Sequence, residues 1–328
     1  MGRDAGARDP ARSQSRRPGA RPGRPGCIAR TPGGGGCRRR RLGAWRGRGP
    51  RPRAAPGSLT VLLGIDHVVL ACSDVDATAA TLESRLGLAA TGGGRHDALG
   101  TLNRLVWLGD AYLELVGVFD ADLASRSWLG RPVLAALAGG HDGGLVTWAI
   151  AVDDLDETLR WAPPDAELRG PDDGERRRPD GRLVRWRFAR PDELSPTAPF
   201  LIEHDRRAAE WSPAERAARG QQQHPLGARA RLAGLEVETA SPAVEAGRLR
   251  SVLAASVEPA GRAVVRIRLG AHEVRFAASR PGPAAVVDVI ADVPLRTRVT
   301  RVGDCEIRLQ GRPGEVGAPP QPDGAVGV

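Results

Sequence analysis

Between Gly64 and Gly117, apolar and polar positions fall into five blocks. Ile65–Cys72 is apolar at nearly every position, which predicts a strand covered on both faces. Asp74 then offers a helix N-cap, Ala79, Leu82 and Leu86 recur near helical spacing, and Gly87 ends the run. A glycine-rich stretch, Gly92-Gly93-Gly94-Arg95-His96, leads to two further apolar runs, Asn103–Leu108 and Tyr112–Val118. Gly109-Asp110 between them reads as a tight hairpin turn. That register pairs Leu105 with Glu114 and Trp107 with Tyr112, so Asn103, Leu105, Trp107, Tyr112 and Glu114 share one face. The predicted order is strand, helix and three strands.

The same order returns in residues 143–206. Leu145–Val152 is an apolar strand, Asp153-Asp154-Leu155-Asp156 opens a helix to Trp161, and Pro163-Pro164 stops it. Leu183–Phe188 and Phe200–His204 follow as strands. An offset of 80 lays Asp74-x-Asp76 over Asp154-x-Asp156, Leu70 over Ile150 and His67 over Thr147. By local likeness Tyr112-Leu113-Glu114 matches Leu201-Ile202-Glu203. A duplicated module that cannot close its own sheet implies pairing of the copies.

The expected organisation is an arm (1–57), a paired domain (58–206, with modules 58–119 and 143–206), a polar linker (207–230), a third diverged strand–helix–strands module (231–310) and a Gly/Pro tail (311–328). The third module's apolar runs, Ala263–Leu269 and Ala285–Ile290, are too long to leave in water. It must pack on the first two modules or pair with a second copy, and a homodimer through 231–310 is the expectation.

Composition changes this picture at the N-terminus. Residues 1–57 hold 16 arginines against 2 aspartates, a charge of +14, which leaves −5 of the net +9 for the rest of the chain. The arm is nearly all Arg, Gly, Pro and Ala and cannot offset chain entropy, so it is expected to be disordered. Three readings of it stay open: an upstream extension or inert tail, a nucleic-acid-binding arm, or a targeting segment. Any nucleic-acid contact would run through this arm, although its single aromatic, Trp45, leaves little for stacking. Cys27, Cys37, Cys72 and Cys305 show no metal-type spacing, and a reducing cytoplasm is the default. No apolar run approaches the ~18 residues of a membrane span.

Two polar residues stand inside apolar strands, His67 and Glu114. Buried polar groups cost free energy unless they are satisfied, so these two need partners or a role.

At these positions and at Glu203 the pattern resembles the vicinal oxygen chelate superfamily, and residues 64–206 resemble its glyoxalase-like domain family. The segments that carry the likeness are Ile65-Asp66-His67-Val68-Val69-Leu70, Gly94-Arg95-His96, Gly100-Thr101-x-Asn103, Tyr112-Leu113-Glu114-Leu115, Thr147-Trp148-Ala149, Arg178-Pro179-Asp180-Gly181 and Pro199-Phe200-Leu201-Ile202-Glu203. The resemblance implies an α+β fold in which paired βαβββ modules curl into a cupped mixed sheet. It places metal ligands at His67, Glu114, Thr147 and Glu203. Thr147 departs from the family, where histidine or glutamine is usual in metalloenzymes.

A divalent ion (Zn, Ni, Mn or Fe) on His67, Glu114 and Glu203 would polarise two vicinal oxygens and stabilise an enediolate, with Glu203 as the base. The competing reading is a metal-free cup in which His67 bonds to one of the carboxylates. No nucleotide cofactor is implied. Arg95, His96 and Asn103 are candidates for binding a substrate carboxylate or phosphate at the cup mouth, with Trp107 and Tyr112 as an apolar wall. Trp148, of opposite parity to Thr147, is expected in sheet–helix packing. His204 has the wrong parity relative to Glu203 for a ligand. Two functions follow: a lyase, isomerase or hydrolase acting on a small oxygenated molecule, or a protein that sequesters a ligand in the same cup, as resistance proteins of the superfamily do.

Overall fold

A computed structural model describes residues 62–312, apart from 139–142, 164–165, 254–256, 260–262 and 280. The readings of the arm, of Cys27 and Cys37, and of nearly all the tail lie outside these residues. The first module is β1 (Leu62–Cys72), α1 (Val75–Leu86), β2 (Gly92–His96), β3 (Thr101–Leu108) and β4 (Ala111–Val118). The Asp74 carboxylate accepts from the Asp76 and Ala77 amides, and Gly87 leaves α1 in the left-handed conformation, φ 75°. Two short helices follow, α2 (Ala121–Ala124) and α3 (Gly130–Ala138). The second module is β5 (Gly143–Val152), α4 (Leu155–Trp161), β6 (Arg169–Arg177), β7 (Leu183–Arg190) and β8 (Phe200–His204). Asp154 caps α4 as Asp74 caps α1, 80 residues earlier.

The copies pair twice. β1 lies antiparallel to β5, and β2 meets β6 at Arg95–Arg177. The result is a closed barrel in the order β1-β4-β3-β2-β6-β7-β8-β5. The hairpin register is the expected one, with Leu105 opposite Glu114 and Trp107 opposite Tyr112. Trp148 is fully buried on the helix side of the sheet, where its indole N–H donates to the Pro196 carbonyl at 3.0 Å.

Beyond α5 (Pro213–Gly220) the chain builds a second sheet. Its strands are β9 (Ala230–Thr239), β10 (Val257–Pro259), β11 (Val264–Leu269), β12 (His272–Ala278), β13 (Ala285–Ala291), β14 (Arg298–Val302) and β15 (Cys305–Gly311), with α6 (Pro242–Leu253) after β9. The order is β10-β11-β12-β9-β13-β15-β14. β9 through β12, with α6, repeat the βαβββ plan. β13, β15 and β14 repeat the pairings of β5, β8 and β7, so they form a shortened fourth copy with no helix of its own. Helix α1 of the first module fills that gap, touching β3 and β4 on one side and β14 on the other.

Leu235, Val237, Phe276, Val287 and Ile307 of the second sheet share one core with Leu70, Leu82, Leu113 and Trp148 of the barrel. The apolar face that motivated a homodimer is thus covered within the chain. The opposite face carries paired charges, among them Arg275 with Glu236 at 3.0 Å and Arg308 with Glu306 at 3.0 Å. Among the described residues no helix is long and apolar enough to cross a membrane.

Candidate functional site

Strand alternation turns His67, His96, Asn103, Tyr112 and Glu114 into the barrel, where they line one small cavity with Arg176 and His204. Glu114 lies at its centre, 5% exposed. The Asn103 amide donates to Glu114 Oε1 at 2.6 Å. Nε2 of His67 stands 3.4 Å from Glu114 Oε2, and Nε2 of His96 stands 3.7 Å from Oε1. Both imidazoles are fixed from behind: Nδ1 of His67 by Asp66 at 2.7 Å, and Nδ1 of His96 by the Thr101 hydroxyl at 3.0 Å. Tyr112 stacks on the His67 ring, 4.6 Å between centroids.

Asp66 reaches the site because β1 is irregular there. Ile65 pairs with Ile150 but His67 pairs with the adjacent Ala149, so Asp66 is an extra residue. Such a bulge re-aims side chains. Asp66 also accepts from Nε2 of His204, 3.0 Å from each oxygen. Burial alone would raise the Asp66 carboxyl, but the charge and hydrogen bond of His204, with the bond from His67, hold it well below the usual carboxylate range. Burial pushes His96 down to about 4 against the opposing charge of Glu114, so at neutral pH its contact with Glu114 is not an ion pair. Burial, with the charges of Asp66 and Glu114, lifts the Tyr112 phenol well above its ordinary value and keeps it protonated.

Three expected site residues are placed differently. Glu203 points out of the barrel, because β8 turns Phe200, Ile202 and His204 inward and the residues between them outward. Its carboxylate accepts from the Leu155 amide at the start of α4, 3.3 Å, and lies 3.6 Å from Arg187. It is neither a ligand nor a base for this cavity. The register shows why local likeness misled. Val69 pairs with Glu114, and its counterpart Ala149 pairs with Phe200, so Phe200 holds the position equivalent to Glu114. Arg95 faces outward too, over the Phe119 ring at 3.6 Å and 3.5 Å from Asp97. His204, set aside on parity with Glu203, faces inward. Trp107 shares the inner face but packs below the cavity, against Tyr112 and Trp211.

The metal set implied by the resemblance does not assemble. Thr147 donates its hydroxyl to the Ala198 carbonyl at 3.1 Å, Phe200 supplies no donor, and Glu203 is outside. Among the described residues no group of three His, Cys, Asp or Glu side chains has an arrangement suited to a metal ion. Of the implied set only His67 and Glu114 remain together, 3.4 Å apart, with His96 approaching the other oxygen of Glu114 at 3.7 Å.

Sequence reasoning missed Asp66, Arg176, Glu210 and Trp211. Residues 207–230 read as polar linker, yet they form a strap across the barrel in which Glu210, Trp211 and His224 are buried. Trp211 stacks on His204, 3.6 Å between centroids. Nε2 of His224 lies 2.8 Å from the Trp107 carbonyl. Arg176 enters the barrel beside the triple glycine. A Cβ on Gly94 would lie 2.0 Å from the Arg177 carbonyl oxygen, so only glycine lets β6 approach β2 there. The signals available were the buried-type sequence Asp66-His67 and the lone Trp211 in a polar stretch.

Among solved structures, a hypothetical protein from Staphylococcus aureus matches with a TM-score of 0.62 at 13% identity, over 76% of this chain and 98% of its own. Methylmalonyl-CoA epimerase from Mycobacterium tuberculosis matches 46% of this chain and 93% of its own at 21% identity, with a TM-score of 0.34. A xylose isomerase-like TIM barrel/4-hydroxyphenylpyruvate dioxygenase fusion protein matches 74% of this chain and 39% of its own at 16% identity, with a TM-score of 0.44. No curated protein sequence matches. The model of the glyoxalase-like domain family matches residues 65–253, more than half of the chain and the whole of the barrel from Ile65 onward. The chain belongs to the glyoxalase-like domain family.

Proposed function

We propose that the barrel interior is the active site of a proton-transfer enzyme, an isomerase or lyase by reaction class, acting on a small oxygenated molecule. The supporting observation is the orientation of His67: Asp66 holds Nδ1 at 2.7 Å while Nε2 faces Glu114 at 3.4 Å. A neutral imidazole that donates through Nδ1 keeps a lone pair on Nε2, which makes His67 a general base aimed into the cavity. Asp66 stabilises the imidazolium formed when the base takes a proton, as the orienting carboxylate does in catalytic triads. The proton leaves a carbon next to an oxygenated centre, and its electron pair moves onto that oxygen. Asn103, whose Oδ1 has no partner among the described residues, and the protonated Tyr112 supply polar contacts to the substrate. The proton then returns to a neighbouring atom of the substrate, from His67 or through Glu114. Every step uses the chain's own residues; a bound divalent ion is an outcome that metal analysis of the purified protein can test.

A second reading rests on the aromatic wall opposite. Trp128 stacks on Phe188 at 4.7 Å and meets Phe200 edge-on at 5.7 Å, a surface suited to sequestering an apolar ligand. One experiment separates the two. Proton NMR in D₂O is used to follow deuterium entering a panel of small 2-hydroxy and 2-oxo carbonyl compounds. The enzyme reading expects exchange with the wild type that is lost in Asp66→Asn and Glu114→Gln. Ligand binding without exchange for every member of the panel would support sequestration instead.

A further inference from the structure

The cavity is too small for the function just proposed. Its free volume is about 30 Å³, room for roughly two water molecules. A substrate therefore enters only if part of the wall moves. The strap contributes Trp211 to that wall, and the preceding residue, Glu210, pairs with the lining Arg176.

Glu210 is an unusual residue to find there. It is 7% exposed, and its φ of 71° lies in the left-handed region that a glutamate rarely adopts. Its carboxylate meets the guanidinium of Arg176, itself 5% exposed, at 2.5 Å. The same guanidinium donates to the Gly93 carbonyl at 2.5 Å. Arg178 approaches the other oxygen of Glu210 at 3.6 Å. Arg176 lines the cavity with His67, His96 and Glu114, and its positive charge helps to hold the His96 pKa down. The residue following Glu210, Trp211, lines the cavity and stacks on His204. From the strap, Arg219 lies over both Trp107 and Trp211, at 4.1 and 4.9 Å, and two of its buried nitrogens have no partner among the described residues.

A buried arginine beside a proton-transfer site is an anchor for an anion, and its planar fork fits a carboxylate. Here that fork is already occupied by a carboxylate belonging to the strap. We propose that Arg176 is the substrate anchor, that the substrate carries a carboxylate, and that Glu210 is an internal stand-in which the substrate displaces as the strap opens. This rests on reading the barrel interior as the substrate site. It gives the strap a definite trigger: a competing carboxylate removes Glu210, and with it the strained backbone and the stack of Trp211 on His204.

The test uses the full chain and monocarboxylates from acetate to hexanoate, with their primary amides as neutral controls, at matched ionic strength. Hydrogen exchange of residues 205–228 in the wild type should rise several-fold with a saturating carboxylate and stay unchanged with the amide. In Glu210→Gln, where the internal competitor is neutral, tryptophan fluorescence should report carboxylates binding at least tenfold tighter than in the wild type. Arg176→Gln should remove the preference for carboxylate over amide. Equal binding of carboxylates and amides to Glu210→Gln, or strap exchange that no carboxylate changes in the wild type, would overturn the proposal. The wild-type arm needs no variant, so a substitution that fails to fold leaves the test intact. Neither readout depends on turnover. Carboxylate binding without deuterium exchange would sink the proton-transfer reading alone, whereas exchange without a carboxylate preference would sink this one alone.

Discussion

The two halves of the barrel follow one plan and line it with different chemistry. In both, an aspartate caps the helix, the first strand runs parallel to the last, and the helix-side residues are large and apolar, Val68 and Leu70 in one and Trp148 and Ile150 in the other. Inside, the first half presents His67, His96, Asn103 and Glu114 around one point. At the equivalent first-strand and last-strand positions the second half has Thr147 and Phe200. The helix-side face carries the core and holds the fold. The inner face lines the cavity and packs against α3 and the strap, and its polar positions around Glu114 differ between the halves while the sheet stays the same. That separation is why the fold survives although the symmetric metal set does not.

Removing chemistry from the first half should have the largest effect. Turnover of any substrate found by the exchange screen should fall by roughly 10²–10⁴ in His67→Ala, the usual contribution of a positioned general base. Thr147→Ser in the second half should change it less than about twofold. Steady-state kinetics checks both, and comparable losses would erase the distinction between the halves.

Acid should strike the first half next. His96 has a folded pKa of about 4 against an ordinary value of 6.5. Its folded pKa is depressed, so above pH 6.5 both states leave it neutral and it places no load on folding. Between 6.5 and 4 only the unfolded chain binds the proton, and stability falls as pH falls. The full loss from this group is about 3 kcal/mol. Denaturant unfolding across that range should show the decline, and His96→Gln should lessen it by about 3 kcal/mol. A decline of the same size in the variant would assign it elsewhere, to His204 or His272, which burial also depresses.

The third prediction tries to break the asymmetry. Thr147→His combined with Phe200→Glu places donors at the two second-half positions equivalent to His67 and Glu114. The double variant should gain zinc binding, with stability rising by about 2.7 kcal/mol at a hundredfold excess over Kd. The wild type should show no such rise. Thermal melts with and without zinc report this, and equal responses would mean that the first half already binds the ion.

The smallest effect belongs to Glu203. It is half-buried on the helix side and paired with Arg187, so Glu203→Gln should cost less than about 1 kcal/mol and leave turnover unchanged. A large kinetic loss there would reinstate it in the site.

Much of the fold was legible from the chain. The 80-residue offset, the two capping aspartates and the Gly109-Asp110 turn fix both modules and the face shared by Asn103, Tyr112 and Glu114. The site was legible only in its first half. Glu203 was misplaced because Leu201-Ile202-Glu203 resembles Tyr112-Leu113-Glu114 in sequence, while facing is set by pairing, and a strand offset by one residue swaps every side chain to the other face. Asp66 was missed because its access to the barrel depends on a bulge that periodicity does not reveal. Arg176, Glu210 and Trp211 were missed because each lies in a polar stretch whose burial depends on the strap folding back over the barrel.

The central claim is that Asp66 holds His67 as a base facing Glu114. Nitrogen-correlated NMR of the histidine side chains at neutral pH tests it directly. The account predicts that Nδ1 of His67 carries a proton in a strong hydrogen bond, that Nε2 is unprotonated, and that the Nδ1 proton signal moves or vanishes in Asp66→Asn. A His67 ring protonated on Nε2 alone, or an Nδ1 signal unchanged in that variant, would contradict it.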